Sequence, residues 1–173
     1  LFLDLDVSGT FAEDIGGTDP ARSLVWLSNG DGAGPYVGVR ILASVESPGP
    51  PIANLTLIDN ETFVYPQQHV TDPDKMGFLS GAGPEYVLPG TAEGGDYSLL
   101  VSSGPFDLVP GESRKVAFAF LAAATLDELL ALADRAQELY DAGGPADAPE
   151  VVKSPDDGTR LVLTSPNPFR DRT

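Results

Sequence analysis

Residues 96–144 read DYSLLVSSGPFDLVPGESRKVAFAFLAAATLDELLALADRAQELYDAGG. The order is strand, turn, strand, turn, strand and then one helix. Tyr97 to Ser103 is a short apolar run of strand-compatible residues. Gly104-Pro105 breaks it, since proline cannot donate to a ladder. Phe106 to Val109 is a second short apolar piece. Pro110-Gly111-Glu112-Ser113 is a turn, because proline presets φ and glycine accepts a positive φ. In Arg114–Ala123, Val116, Phe118 and Phe120 point one way with alanines between them. That predicts a strand buried on one face and closely covered on the other. Thr125-Leu126-Asp127-Glu128 fits a capping box. Leu126, Leu129, Leu130, Ala133, Ala136 and Tyr140 then share one helical face, and Gly143-Gly144-Pro145 ends the helix. The spacing predicts a helix over 125–142 that packs on a sheet.

Working outward from this stretch, the upstream chain reads as further β structure. Leu1 to Val7 alternates, with Phe2, Asp4 and Asp6 on one face. Ser23–Ser28 holds the only tryptophan, Trp26, and Tyr36–Val45 and Ile52–Ile58 are further strand patterns. Thr62–Tyr65 reads as a fifth, short strand, and Asp72–Leu79 as a short helical turn with proline near its start. Gly16–Pro20, Ser80–Pro84 and Leu88–Gly95 read as loops. The predicted fold is mainly β: an antiparallel β-sandwich over 1–144 with one C-terminal amphipathic helix packed on it. The expected core is Leu3, Leu5, Val25, Leu27, Val37, Val39, Ile41, Leu55, Leu57, Leu99, Val101, Val116, Phe118, Phe120, Leu129, Leu130 and Ala133. Residues 145–158 read as a linker, and 159–173 as the start of another strand segment.

Two segments carry a resemblance. SGPFDLVPGES, with the strand and the helix ALADRAQELYDAG that follow it, resembles a recurrent module of large secreted bacterial proteins. The tail LTSPNPFRDRT is similar to the opening of the Ig-like C-terminal sorting domain used in type IX secretion, where an apolar strand precedes a PNPF segment. The resemblance implies an exported bacterial protein, secreted or held at the cell surface. It implies no catalytic residue. The chain opens inside an apolar strand pattern, with neither an initiator methionine nor a signal peptide, and reads as a piece of a longer protein.

Whole-chain numbers narrow the function. In 173 residues, 26 acidic side chains face 10 basic ones, for a net charge of −16. Nucleic acid is a poor partner for such a surface, because phosphate contacts need a basic stripe. No run approaches the roughly 18 apolar residues of a membrane span. There is no cysteine, so neither a disulfide nor a thiolate metal site can form.

The candidate binding residues are acidic. Asp4-Leu5-Asp6-Val7-Ser8-Gly9 places oxygen groups at alternate positions before a glycine, like the first half of a calcium loop. Position 12 of that loop is Ile15 rather than glutamate, and no helix enters it, so an EF-hand is not expected. A looser Ca²⁺ site from Asp4, Asp6, Ser8, Asp14 and Asp19 stands beside the plainer reading of an acidic loop. Asn29 and Asp31 could offer oxygens to a cation, though turn chemistry accounts for them. His69 is the only histidine. Asp4 with Asp6, or Asp72 with Asp74, are the carboxylate pairs a hydrolase could use, but no G-x-S-x-G, H-E-x-x-H or Cys–His set accompanies them. Trp26 and Tyr36 flank one turn and, like Tyr65, Tyr86 and Tyr97, could stack on a sugar, or pack as core. Asn54-Leu55-Thr56 and Asn60-Glu61-Thr62 match the glycosylation pattern.

The expected function is a non-catalytic extracellular structural or interaction module of a larger secreted protein, with Ca²⁺ as its only expected cofactor. Its partners would be neighbouring domains or other chains, including copies of itself. Leu1–Val7 or Leu161–Leu163 would complete a neighbour's sheet edge. The alternative is an accessory domain of a secreted hydrolase, carbohydrate-binding or pro-region-like.

Overall fold

The computed structural model describes residues 1–7, 9, 13–30, 34–42, 52–64, 70–81, 91–104, 106–107, 109–113, 116–143, 151–153 and 160–162. Its strands are β1 (Phe2–Asp4), β2 (Asp14–Asp19), β3 (Leu24–Asn29), β4 (Tyr36–Leu42), β5 (Ile52–Asp59), β6 (Thr91–Gly95), β7 (Tyr97–Ser103), β8 (Ala117–Ala123), β9 (Val151–Lys153) and β10 (Arg160–Val162). The helices are α1 (Asn60–Phe63), α2 (Asp72–Ser80) and α3 (Leu126–Asp141). One sheet runs β1-β7-β5 and the other β6-β2-β3-β4-β8, with every pairing antiparallel. The chain is mainly β, as its alternation predicts.

Strand parity explains the layers. In β3, Val25 and Leu27 point one way while Leu24 and Trp26 point the other. The first pair joins Val39, Ile41, Leu57, Leu99 and Val101 in the core between the sheets. The second pair joins Leu129, Ala133 and Ala136 of α3, on the outer face of the five-stranded sheet. A third, smaller cluster of Ile58, Leu100 and Phe78 seats α2 on the outer face of the three-stranded sheet. The sandwich therefore has a helix on each outer face. α2 is tied down by two backbone carbonyls: Asn54 Nδ2 donates to Phe78 O (2.6 Å) and Ser102 Oγ to Leu79 O (2.6 Å).

α3 starts where its capping residues require. Glu128 N–H donates to Thr125 Oγ1 (3.2 Å). The return bond reaches one residue further back than a capping box, with Ala124 N–H donating to Glu128 Oε2 (3.2 Å). A charged bracket fastens the middle of α3 to the sheet. Arg22 donates from Nε and Nη2 to the Asp134 carboxylate and from Nη1 to Asp19 Oδ2 (2.8 Å). Arg40 Nη1 donates to Ala133 O (2.6 Å) and lies 3.4 Å from Asp134 Oδ1. Burial draws the Arg40 pKa down, against the pull of Asp134.

Several expectations change. Gly16–Pro20, expected as a loop, lies largely in β2, inside the sheet between β6 and β3. DIGGTD has almost no apolar pattern because its glycines are there to let the sheets close. A Cβ on Gly16 would lie 2.6 Å from Leu57 Cδ1 and 2.7 Å from Trp26 O. Thr91–Gly95, also expected as loop, is β6. Asn60–Phe63 forms a helical turn where a strand over Thr62–Tyr65 was expected, since the Asp59 side chain accepts from Thr62 N–H (3.2 Å) and caps it. β1 is shorter than its alternation suggests, and the expected strand residues 43–45 lie outside the described residues. Phe106 and Val109 are exposed and lie outside any strand.

Two expected core residues are surface residues. Leu5 is 36% exposed and Phe120 46%. In β8 the buried face is Ala119, Leu121 and Ala123, where small side chains let α3 approach. Phe118 reaches the inter-sheet core, but Phe120, next on the same face, lies beyond the cover of the narrower sheet.

Within 145–158, Val151–Lys153 forms β9 and pairs with β10. The LTSPNPFRDRT tail, His69, Asp31, Tyr65 and Tyr86 lie outside the described residues.

Candidate functional site

The most concentrated polar chemistry sits at the end of the sandwich where β1 ends, β2 begins and the chain bends between β6 and β7. Asn60, the first residue of α1, is fully buried. Its Nδ2 donates to Asp96 Oδ1 (2.6 Å) and to Asp4 Oδ1 (3.0 Å). Its Oδ1 accepts from Ser98 Oγ (2.7 Å), which also lies 3.3 Å from Asp4 Oδ1. The Asn60 backbone N–H donates to Asp96 O (2.8 Å). Two acceptors on one nitrogen and a donor on the oxygen fix the orientation of the amide. They also hold the Asp4 and Asp96 carboxylates no further apart than those two bonds laid end to end.

Asp14, only 2% exposed, begins β2 at the same end. Asp96 is 6% exposed. Burial pushes its carboxyl pKa up, the Asn60 hydrogen bond pulls it down, and the charges of Asp4, Asp6 and Asp14 push it up further; the net shift is upward. Three carboxylates from β1, the segment after it and β2 thus act on a buried fourth.

The residues expected to bind Ca²⁺ are divided by the fold. Asp4, Asp6 and Asp14 come to one end. Asp19 closes the other end of β2, five strand steps or roughly 17 Å from Asp14, and is engaged by Arg22. Burial alone would raise the Asp19 pKa, but the Arg22 hydrogen bonds outweigh it and the net shift is downward. Ser8 lies outside the described residues. Among the described residues no three of Asp, Glu, His or Cys form a group that could hold a metal ion.

Sequence reading missed Asn60, Asp96 and Ser98. Their meeting depends on the β5–β7 register, which sets Ile58 against Ser98 and Asp59 against Tyr97. The one local signal was serine at 98 and 102 interrupting an apolar run.

The other candidates have structural work. Asp74 closes a capping box with Thr71, and Asp72 accepts from Lys75 Nζ (3.0 Å). Trp26 is buried beneath α3, and its ring meets Tyr36 at 5.6 Å and a 50° tilt; the pair packs as core and offers no flat platform. Asn54 and Asn60, the asparagines of the glycosylation patterns, are both buried with their amides engaged. The folded chain therefore presents neither to a modifying enzyme.

The strain at Asp96 makes a direct prediction. A carboxyl with a raised folded pKa costs stability when ionised, and that cost disappears as pH falls through the folded pKa. Asp96→Asn keeps an oxygen that can accept from Asn60 and removes the charge. It should raise the melting midpoint at pH 7 by about 1–3 °C. The gain should shrink as pH falls through the raised folded pKa of Asp96 and vanish once the wild-type carboxyl is protonated in both states. Calorimetry of both proteins between pH 4 and 7 checks this; a gain independent of pH would assign the effect to packing.

Comparison with protein-family models, curated proteins and solved structures finds no match for this chain.

Proposed function

We propose that this chain is a non-catalytic structural or interaction module of a larger secreted bacterial protein. It works outside the cell or at its surface, and Ca²⁺ stabilises it at the Asp4–Asp96 end. The observation that carries the calcium part is the strain on the buried Asp96 carboxylate under three neighbouring negative charges. A divalent cation would relieve that strain, and extracellular modules bind Ca²⁺ with Kd of roughly 10⁻⁴–10⁻³ M. The reading requires Asp6 and the segment after it to close on the ion, since Asp4 and Asp96 already serve Asn60. The secreted, bacterial part is supported by the SGPFDLVPGES and SPNPF segments and by the acidic composition.

A ligand that binds only the native state must raise its melting point. With a Kd of about 1 mM, 10 mM Ca²⁺ contributes about 1.4 kcal/mol, a rise of about 3–6 °C for a chain of this size. The shift should be absent in excess EDTA and in the Asp4→Ala, Asp6→Ala double variant. Equal midpoints with Ca²⁺ and EDTA in the wild type would remove calcium from the proposal.

The contact surfaces of such a module are its sheet edges. The segments expected to donate strands to a neighbour are occupied in this chain. β1 pairs with β7, where Leu3 faces Leu99, and β10 pairs with β9. Among the described residues, the two larger sheets end at β1, β5, β6 and β8.

A further inference from the structure

Three of those four terminal strands carry features that discourage pairing. β1 is three residues long and ends on Asp4. β6 reads TAEGG, with a charge and two glycines. β5 ends on Asp59 and follows the proline-rich stretch Ser47–Pro51. Short length, charge and nearby proline are the usual ways to protect an edge. β8 has none of them. It reads AFAFLAA, seven residues without a charge, a proline or a glycine. Such an uncharged edge, without a device that blocks pairing, is open to another strand. Phe120 and Ala122 lie exposed on the face that the three-stranded sheet leaves uncovered.

A strand lies beside this edge. β10 lies near β8, although the ladder of the five-stranded sheet ends at β8 and β10 is hydrogen-bonded to β9. The β9–β10 ladder sets Arg160 against Lys153, Leu161 against Val152 and Val162 against Val151. Lys153 and Arg160 are its two cations, and Asp156 and Asp157 in the intervening sequence balance them.

We infer that β8 is the acceptor edge of this module, and that the β9–β10 strand pair of the same chain docks there and extends the five-stranded sheet through β10. Main-chain hydrogen bonds along β8 would supply the affinity, as in other strand additions. In the sequence the β9–β10 pair directly precedes LTSPNPFRDRT. The inference rests on the reading of sheet edges as contact surfaces. It does not rest on calcium, so an absent Ca²⁺ shift leaves it standing.

Amide hydrogen exchange on the 173-residue chain tests it. An uncovered edge strand turns every second N–H to solvent, whereas a covered one protects them all. All of Ala117–Ala123 should be protected in the wild type. Leu161→Pro removes a ladder donor from β10 and should speed exchange at alternate β8 amides by about tenfold or more. Amides of α3 and β3 should keep their wild-type rates, which shows that the body remains folded. The wild-type pattern decides the matter even if this variant fails to fold. Fast exchange at alternate β8 amides in the wild type, or unchanged β8 rates in Leu161→Pro, overturns the proposal. So does β8 protection that falls on dilution in step with loss of a dimer by light scattering, because the strand would then come from a second copy. Protection in a strict monomer supports docking within the chain and removes assembly through this edge.

Discussion

Asn60→Asp is expected to destabilise the protein by about 4 kcal/mol at pH 7, in the range for breaking a buried polar pair by changing one partner, and acid should restore much of the loss. The substitution changes almost no volume. It replaces Nδ2, which donates 2.6 Å to Asp96 and 3.0 Å to Asp4, with an acceptor oxygen. Two charge-assisted hydrogen bonds become two like-charge contacts in a site where Asp96 is already strained by its neighbours. The bond from Ser98 survives, because the other oxygen keeps its place. Protonating the new carboxyl or Asp96 recreates a donor. Both groups carry raised folded pKa values in the variant, so stability returns as pH falls through them. Urea unfolding at pH 7 and pH 4.5 measures both halves. Asn60→Ala is the control: it loses the bonds without adding a charge, so its deficit should change less with pH. A loss below about 1 kcal/mol for Asn60→Asp, or one unchanged by acid, would refute a tightly packed polar centre.

Gly16→Val should cost at least about 3 kcal/mol, at the upper end of overpacking penalties, and Gly16→Ala about 2 kcal/mol by the same argument. A Cβ at this position would sit 2.6 Å from Leu57 Cδ1, 2.7 Å from Trp26 O and 2.8 Å from Leu27 Cδ2. The two leucine methyls could rotate away, although both side chains are fully packed in the inter-sheet core. The Trp26 carbonyl cannot, because β3 is held on both sides, by β2 and by β4. Relief must come from separating the sheets or bending β2. Ala122→Val, on the exposed face of β8, adds a similar volume and should change stability by no more than about 0.5 kcal/mol. Thermal unfolding of the three variants beside the wild type checks the order. Equal effects at positions 16 and 122 would mean that the sheets do not close over Gly16.

Some elements were legible in the sequence because they write themselves in apolar side chains. The α3 face of Leu129, Ala133 and Ala136, the Thr125 cap, and the alternation in β3, β4, β5 and β7 all follow from side-chain periodicity. β2 and β6 did not, for the same reason. A strand whose job is to let another sheet approach is built from glycine, and glycine contributes nothing to an apolar pattern. β8 was half legible. Its two faces were separated correctly, but which face is better buried depends on the width of the opposing sheet, a property of distant strands. The acidic end was legible through Asp4, Asp6 and Asp14 alone. Asn60 and Asp96, its centre, meet through a strand register, and nothing local to either residue specifies it.

The sheet order also bears on how the chain assembles. In the five-stranded sheet, β2, β3 and β4 are joined by short connections and can pair as soon as residues 14–42 exist. The three-stranded sheet has no such local pair. Its middle strand, β7, supplies every ladder: Leu3 meets Leu99, and Leu57 meets Leu99 from the other side. Until residues 97–103 have been made, β1 and β5 have nothing to pair with in the native sheet. Loop closure over such spans is slow, and folds dominated by distant pairings reach the native state in about milliseconds to seconds. The first half of this chain must therefore wait, with a meander formed and its inter-sheet face open, for one strand that arrives late.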